Sequence, residues 1–271
     1  MEGYTGLFWI FIIISALQPV ITRQLLNNSR KNLIEKIERD QKSKVIALIH
    51  RQESMALLGF PLVKYINLED SEEVLRAIGT TNPEDSIDFV LHTPGGLVLA
   101  AMQIARAIEQ HPGRIRVIVP HYAMSGGTLI SLAADEIIMS PHAVLGPVDP
   151  QLANMPAPSL VKLKKEKSID HIDDKTLVLA DMAEKSIDQL KSGIKELMTH
   201  NYGEEKAEEI SKMLTEGRWT HDYAITANFA KEIGLKVSTD ISKDVLNLLQ
   251  MYKQPTKLAV PTVDYLRKES S

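Results

Sequence analysis

A chain of 271 residues with 44% apolar residues and a formal net charge of −4 is long enough for one sizeable core with appendages. Having no cysteine, it has no disulfide, no thiol nucleophile and no cysteine metal ligands. Its mildly acidic balance gives no basic footprint for nucleic acid.

Residues 3–22 carry no charge and include the apolar run 7–14. About 20 such residues span a bilayer core as a helix, and Tyr4 and Trp9 sit where interfacial aromatics are common. A cleaved signal peptide would place positive charge before the apolar run and a small-x-small site after it. Here Glu2 precedes it, and Ala16-Leu17-Gln18-Pro19-Val20 follows. Residues 3–22 are therefore read as a retained single-pass transmembrane anchor. Arg23, Arg30, Lys31, Lys36 and Arg39 follow this span, so the positive-inside bias sets the C-terminal body in the cytoplasm. Residues 23–43, with Leu33, Ile34 and Ile37 at helical spacing, are expected to form a juxtamembrane amphipathic helix.

A folded body is expected over residues 44–253, followed by a flexible polar tail at 254–271. Strands are predicted at 44–50, 87–91, 114–120 and 136–139, with a further short one at 144–146. Helices are predicted around 74–78, at 97–109, as a short buried element at 126–134, as a long element at 173–198 and at 204–214. The last clear helix is predicted at 225–233, closed by Gly234. Strands alternating with crossover-length helices give an α/β fold with a mostly parallel sheet, its strands buried on both faces.

Three segments at strand ends carry the chemistry. His92-Thr93-Pro94-Gly95-Gly96 lies between a strand and a helix. Its glycines let backbone approach a ligand, with N–H groups exposed at a helix start. Such groups stabilise a developing oxyanion, although a tight strand-to-helix turn needs glycine for its own sake. Ser125 lies in Ala123-Met124-Ser125-Gly126-Gly127, again between a strand and a helix. It has the geometry of a nucleophile elbow or of an ordinary N-capping serine. Asp149 in Gly146-Pro147-Val148-Asp149-Pro150-Gln151 reads as a catalytic acid or a plain turn residue.

Together these segments resemble the ClpP-class serine peptidases. Pro94-Gly95-Gly96 looks like their oxyanion turn, residues 123–127 like the elbow of signal peptide peptidase relatives, and residues 219–235 like the closing helix and turn. Within that class the chain is most similar to the serine dehydrogenase proteinase family. That similarity rests also on His50-Arg51-Gln52-Glu53, Ala133-Ala134-Asp135-Glu136 and Trp219-Thr220-His221-Asp222-Tyr223, and it extends from the anchor to about residue 237. The resemblance implies a ClpP/crotonase-like fold and a membrane-anchored serine endopeptidase acting on peptides or membrane-protein segments. It also implies a homo-oligomer, and an oxyanion hole from Gly95, Gly96 and Gly126. No cofactor is expected, and no histidine or carboxylate spacing points to a metal site.

Ser125 needs a base, and three readings stay open. The family resemblance implies Ser125, Asp149 and His221. ClpP itself has the order Ser, His, Asp, which aligns Asp149 with its histidine and His221-Asp222 with its aspartate. The signal peptide peptidases use a Ser–Lys dyad, which points to Lys175 or, further along, Lys185; either lysine would have to be desolvated. His50, His92 and His121 are read as lining or orienting groups near the same edge. Two other function classes compete: a crotonase-like acyl-CoA enzyme, which needs no serine at the elbow, and a non-catalytic membrane scaffold. A dinucleotide-linked dehydrogenase finds no support, because no Gly-x-Gly-x-x-Gly follows the first strand.

Overall fold

The computed structural model describes residues 2–50, 55–57, 60–62 and 64–252, and excludes the side chains of residues 2–16, 19, 55–57 and 60–62. The tail expected at 254–271 and the motif residues Arg51, Gln52 and Glu53 lie outside the described residues. In chain order the elements begin with helix α1 (Glu2–Gln41), strands β1 (Lys44–Ile49), β2 (Met55–Leu57) and β3 (Phe60–Leu62), helix α2 (Leu68–Thr80) and strand β4 (Ile87–His92). Helix α3 (Val98–Glu109), strands β5 (Ile115–Val119) and β6 (Tyr122–Ala123), helix α4 (Gly126–Leu132), and strands β7 (Glu136–Met139), β8 (Val144–Leu145), β9 (Gln151–Leu152) and β10 (Met155–Pro156) follow. Helix α5 (Ala157–Glu166), a 3-10 turn (Ile169–His171), helices α6 (Asp174–Tyr202) and α7 (Glu204–Thr215), strand β11 (Ile225–Thr226), helix α8 (Ala227–Glu232), strand β12 (Val237–Ser238) and helix α9 (Lys243–Met251) complete the described residues.

Five parallel strands in the order β1-β4-β5-β7-β12 form the middle layer. Alternation of side chains along each strand sends Phe89, Leu91, Val117, Val119, Ile137 and Met139 into the larger core, against α3, α4, α6 and α7. The intervening Val90, Ile118 and Ile138 face the other way and pack with Ile37 of α1 and with Val245 and Leu248 of α9. Every residue of β4 is buried, as a central strand covered on both faces requires. Its one carboxylate, Asp88, accepts from Arg116 Nε at 2.6 Å and Nη2 at 2.7 Å, and from Ser43 Oγ at 2.8 Å.

Helix α1 runs without a break through both the stretch read as an anchor and the one read as a juxtamembrane helix. Leu33, Ile34 and Ile37, the expected apolar face, cover the sheet. Lys36 pairs with Asp244, and Arg30 donates to the Met251 carbonyl at 2.6 Å and lies over the Tyr252 ring. Among the described residues no helix is long and apolar enough to cross a membrane; the side chains of the apolar run 7–14 are outside that set.

The helix expected at 225–233 is corrected: Ile225 and Thr226 pair with β8 in an antiparallel register, and Thr226 caps the shorter α8 through Phe229 N. Helices α5 and α9 and strand β12 were not anticipated. Pro158 stands in the first turn of α5, where proline is tolerated.

Candidate active site

A second, three-stranded sheet of order β11-β8-β6 gathers the chemistry. β6 and β8 are parallel and β11 is antiparallel to them, with Ala123, Leu145 and Ile225 in one row. The chain leaves that row toward one edge at Met124-Ser125 and at Gly146–Asp149, and it arrives from the same edge through His221–Ala224. Ser125, Asp149 and His221, dispersed over nearly a hundred residues, are thereby delivered to a single edge.

The elbow is tied to the glycine turn by backbone. Thr93 N donates to Tyr122 O at 3.2 Å, and Met124 N donates to Thr93 O at 3.0 Å. Thr128 Oγ1 donates to Ala123 O at 2.8 Å and accepts from Gly146 N at 3.0 Å, which joins α4 to the segment leading to Asp149. Ser125 itself sits at φ 50° and ψ −112°, and its side chain makes no cap hydrogen bond. L-residues rarely adopt this conformation, and it persists where surrounding structure imposes it. The capping alternative for Ser125 therefore does not hold.

Gly95 has φ 111°, and a Cβ there would lie 3.0 Å from the Ser125 Cβ and 3.3 Å from Gly126 N. Gly96 is required for a different reason: a Cβ would strike the Ile66 carbonyl oxygen at 2.2 Å. Ile66 pairs with this turn as a strand would, Ile66 N donating to Gly95 O at 2.8 Å and Leu97 N to Ile66 O at 2.9 Å. Gly95 N donates to Thr93 Oγ1 at 3.2 Å. Among the described residues, no hydrogen bond occupies Gly96 N or Gly126 N.

Asp149 is 3% exposed. Its Oδ1 lies 2.8 Å from His221 Nδ1, and its Oδ2 accepts from Gln151 Nε2 at 2.7 Å. An ionised carboxylate only accepts, so Nδ1 carries the proton and Nε2 is left as acceptor. The His221 loop is clamped by the stacked rings of Trp219 and Tyr223, 5.0 Å apart, with Phe229 edge-on to both. Among the described residues no hydrogen bond joins Ser125 Oγ to His221; without substrate this contact is commonly long. Asp222 is exposed.

The lysines stand apart. Lys175 is exposed on α6, and Lys185, also exposed, pairs with Asp181 at 2.5 Å. Neither is desolvated, as a lysine base must be. His121 is exposed, and the His92 ring packs against Tyr122 with centroids 4.1 Å apart. His50 is buried: Nδ1 lies 3.0 Å from Thr93 Oγ1 and Nε2 lies 3.3 Å from Asp70 Oδ2. Burial pushes its pKa below the ordinary histidine value, against the opposing pull of Asp70. The contacts of Thr93, Gln151 and Asp70 were not anticipated from sequence; the signal available was a hydroxyl residue directly before Pro-Gly-Gly and a histidine closing β1.

Two depressions flank the turn. One of about 890 Å³ is lined by His50, Ile66, Asp70, Gly96 and Leu97 among others. The other, about 780 Å³ and mostly apolar, includes Val98, Leu99, Met102, Pro150 and Leu152. Among the described residues no group of three or more His, Cys, Asp or Glu side chains is disposed to hold a metal ion.

A family model described as ClpP-like SDH-type serine proteinase matches residues 1–271. Two uncharacterized proteins of Methanocaldococcus jannaschii are similar to the chain. One is 53% identical over 251 residues, 93% of this chain and 88% of that protein. The other is 47% identical over 266 residues, 98% of this chain and 90% of that protein. The probable protease SohB of Haemophilus influenzae is 27% identical over 207 residues, 68% of this chain and 56% of that protein. Among solved structures, a serine-to-alanine mutant of the 1510-N membrane-bound stomatin-specific protease is similar at a TM-score of 0.46 and 22% identity, over 69% of this chain and 79% of that one.

Proposed function

The chain belongs to the ClpP-like SDH-type serine proteinase family, and from that membership we propose that it is an endopeptidase that cleaves peptide bonds through an acyl-enzyme on Ser125. The observation that carries this reading is the backbone of Ser125, held at φ 50° and ψ −112° with its hydroxyl left off the helix cap. A crotonase-like acyl-CoA enzyme needs no serine at this turn, and a scaffold needs no free hydroxyl there.

In the proposed reaction His221 Nε2 takes the Ser125 proton as Oγ bonds to the scissile carbon, and the carbonyl electrons move onto oxygen. The N–H groups of Gly96 and Gly126 stabilise that oxyanion. Gly95, whose N–H donates to Thr93, shapes the turn and does not donate to the oxyanion. Collapse breaks the C–N bond, and the leaving amine takes the proton from Nε2. Water, deprotonated by the same nitrogen, then cleaves the ester and regenerates the hydroxyl. Asp149 holds the ring in the required tautomer and stabilises its charged form, and Gln151 in turn holds Asp149. The solvent exposure of Lys175 and Lys185 favours His221 over a lysine base.

The proposal includes the anchor at residues 3–22, the body on the cytoplasmic side, and assembly into a homo-oligomer. Support for the anchor is the uncharged run 3–22 within a helix whose far half is packed on the body. Alkaline carbonate washing of membranes should leave the full chain in the pellet and release a chain lacking residues 1–22; release of both argues against the anchor. The activity is tested with a fluorophosphonate probe, which is expected to label the wild type and spare Ser125→Ala. Equal labelling of the two removes the peptidase reading.

A further inference from the structure

We propose that Asp70, His50 and Thr93 form a relay of positioning residues, buried at His50 and Thr93, that holds the glycine turn so that Gly96 N–H faces the nucleophile. The inference rests on the peptidase reading above and assigns its second, non-reacting set of polar groups.

The relay has one consistent direction. Asp70 Oδ2 lies 3.3 Å from His50 Nε2, and a carboxylate there favours the ring tautomer that turns its N–H toward it. The proton is then on Nε2, and Nδ1 presents a lone pair. Thr93 Oγ1, 3.0 Å away, donates its hydrogen to that lone pair. Its own lone pairs are left free, and one accepts Gly95 N–H at 3.2 Å. The alternative acceptor for the threonine hydrogen, the Gly95 carbonyl, is further off at 3.3 Å and already receives Ile66 N–H.

Asp70 is itself pinned. It is the third residue of α2 in a capping box, its Oδ2 accepting from Asn67 N at 2.9 Å and its N donating to Asn67 Oδ1 at 2.9 Å. The relay therefore runs from a helix N-terminus, through the end of β1, into the turn after β4.

Its effect on Gly96 follows from peptide geometry. In a trans peptide the carbonyl and the next N–H point in opposite directions. Gly95 O is bound to Ile66, so Gly96 N–H points away from Ile66. A Cβ on Gly126, at the elbow, would lie 3.5 Å from that nitrogen. Thr93 fixes the preceding peptide by its N–H, and with both peptides held the turn cannot rotate its donor away. The set resembles Asp149–His221 with a hydroxyl added, but Thr93 is fully buried and His50 is 5% exposed. Substrate cannot reach that hydroxyl, so it positions and does not attack.

The test is the rate of fluorophosphonate labelling of the full chain, separated into probe affinity and the first-order bond-forming step. Thr93→Val keeps the shape and removes the hydroxyl. It is expected to slow bond formation by about 10- to 100-fold, the loss typical of a sub-ångström to 1 Å misplacement, with probe affinity within about 2-fold. Thr93→Ser restores the hydroxyl and is expected to recover most of the rate. His50→Phe should slow the same step, and adding it to Thr93→Val should cause little further loss, as members of one network are non-additive. Either single variant suffices should the other fail to fold. Wild-type bond formation in Thr93→Val, a loss confined to affinity, or Thr93→Ser as impaired as Thr93→Val overturns the relay while leaving the peptidase reading intact. Labelling that does not depend on Ser125 overturns both.

Discussion

Replacing Ser125 by glycine and by alanine separates the two things a serine at this turn can be. At φ 50° and ψ −112° an L-residue carries about 1–3 kcal/mol of backbone strain. Glycine removes that strain but loses about 0.5–1 kcal/mol through the greater freedom of the unfolded chain. The net expectation for Ser125→Gly is a gain of about 0–2.5 kcal/mol. Alanine keeps the Cβ and therefore the strain. Because the hydroxyl caps nothing, Ser125→Ala should change stability by no more than about 0.5 kcal/mol. A genuine capping serine would lose about 1 kcal/mol on the same change. Urea unfolding of the detergent-solubilised full chain, followed by circular dichroism, reads both variants. The expected order is glycine above wild type and alanine level with it. A loss of about 1 kcal/mol in Ser125→Ala, with no advantage for glycine, refutes the strained-elbow reasoning.

Three further outcomes follow from the same geometry. Asp149→Asn preserves the size of the group at 2.8 Å from His221 but permits the wrong ring tautomer, so fluorophosphonate labelling should slow by about 10³- to 10⁴-fold without loss of the fold. Asp88→Ala leaves Arg116 and Ser43 without the carboxylate they share and should lower unfolding free energy by about 3 kcal/mol, measured in urea. Burial depresses the pKa of His50 below its ordinary 6.5, with Asp70 opposing the shift and Lys64 adding to it. Below 6.5 the unfolded chain therefore binds a proton that the folded chain refuses. That contribution to stability is complete above pH 6.5 and declines as pH falls toward the depressed value. A thermal midpoint followed between about pH 5 and pH 8 should show this slope in the wild type and a shallower one in His50→Phe.

Four of the five strands of the parallel sheet were legible because they are largely apolar runs rich in Ile and Val. Residues 87–91 and 136–139 match β4 and β7 closely for that reason. The short strands were harder. Ile225-Thr226 reads as the start of a helix by periodicity, and only pairing with Val144 and Leu145 makes it β11. Local preference over two residues is too small to decide such an element; a partner strand supplies the missing hydrogen bonds.

The order of amino acids by itself determined which residue types were available for chemistry, the absence of thiols, the glycines where backbone must pass close, and the strand-to-helix turns at 92–97 and 120–126. Those are local properties, set by sterics and periodicity within a few residues. Tertiary structure alone decided that Ser125's hydroxyl leaves its cap, and that Asp149 meets His221 across 72 positions of chain. It likewise decided that Lys175 and Lys185 stay in water and that His50 faces Thr93. Distances between remote side chains depend on sheet register and on which strand lies beside which, and hydrophobic burial summed over the whole core settles those.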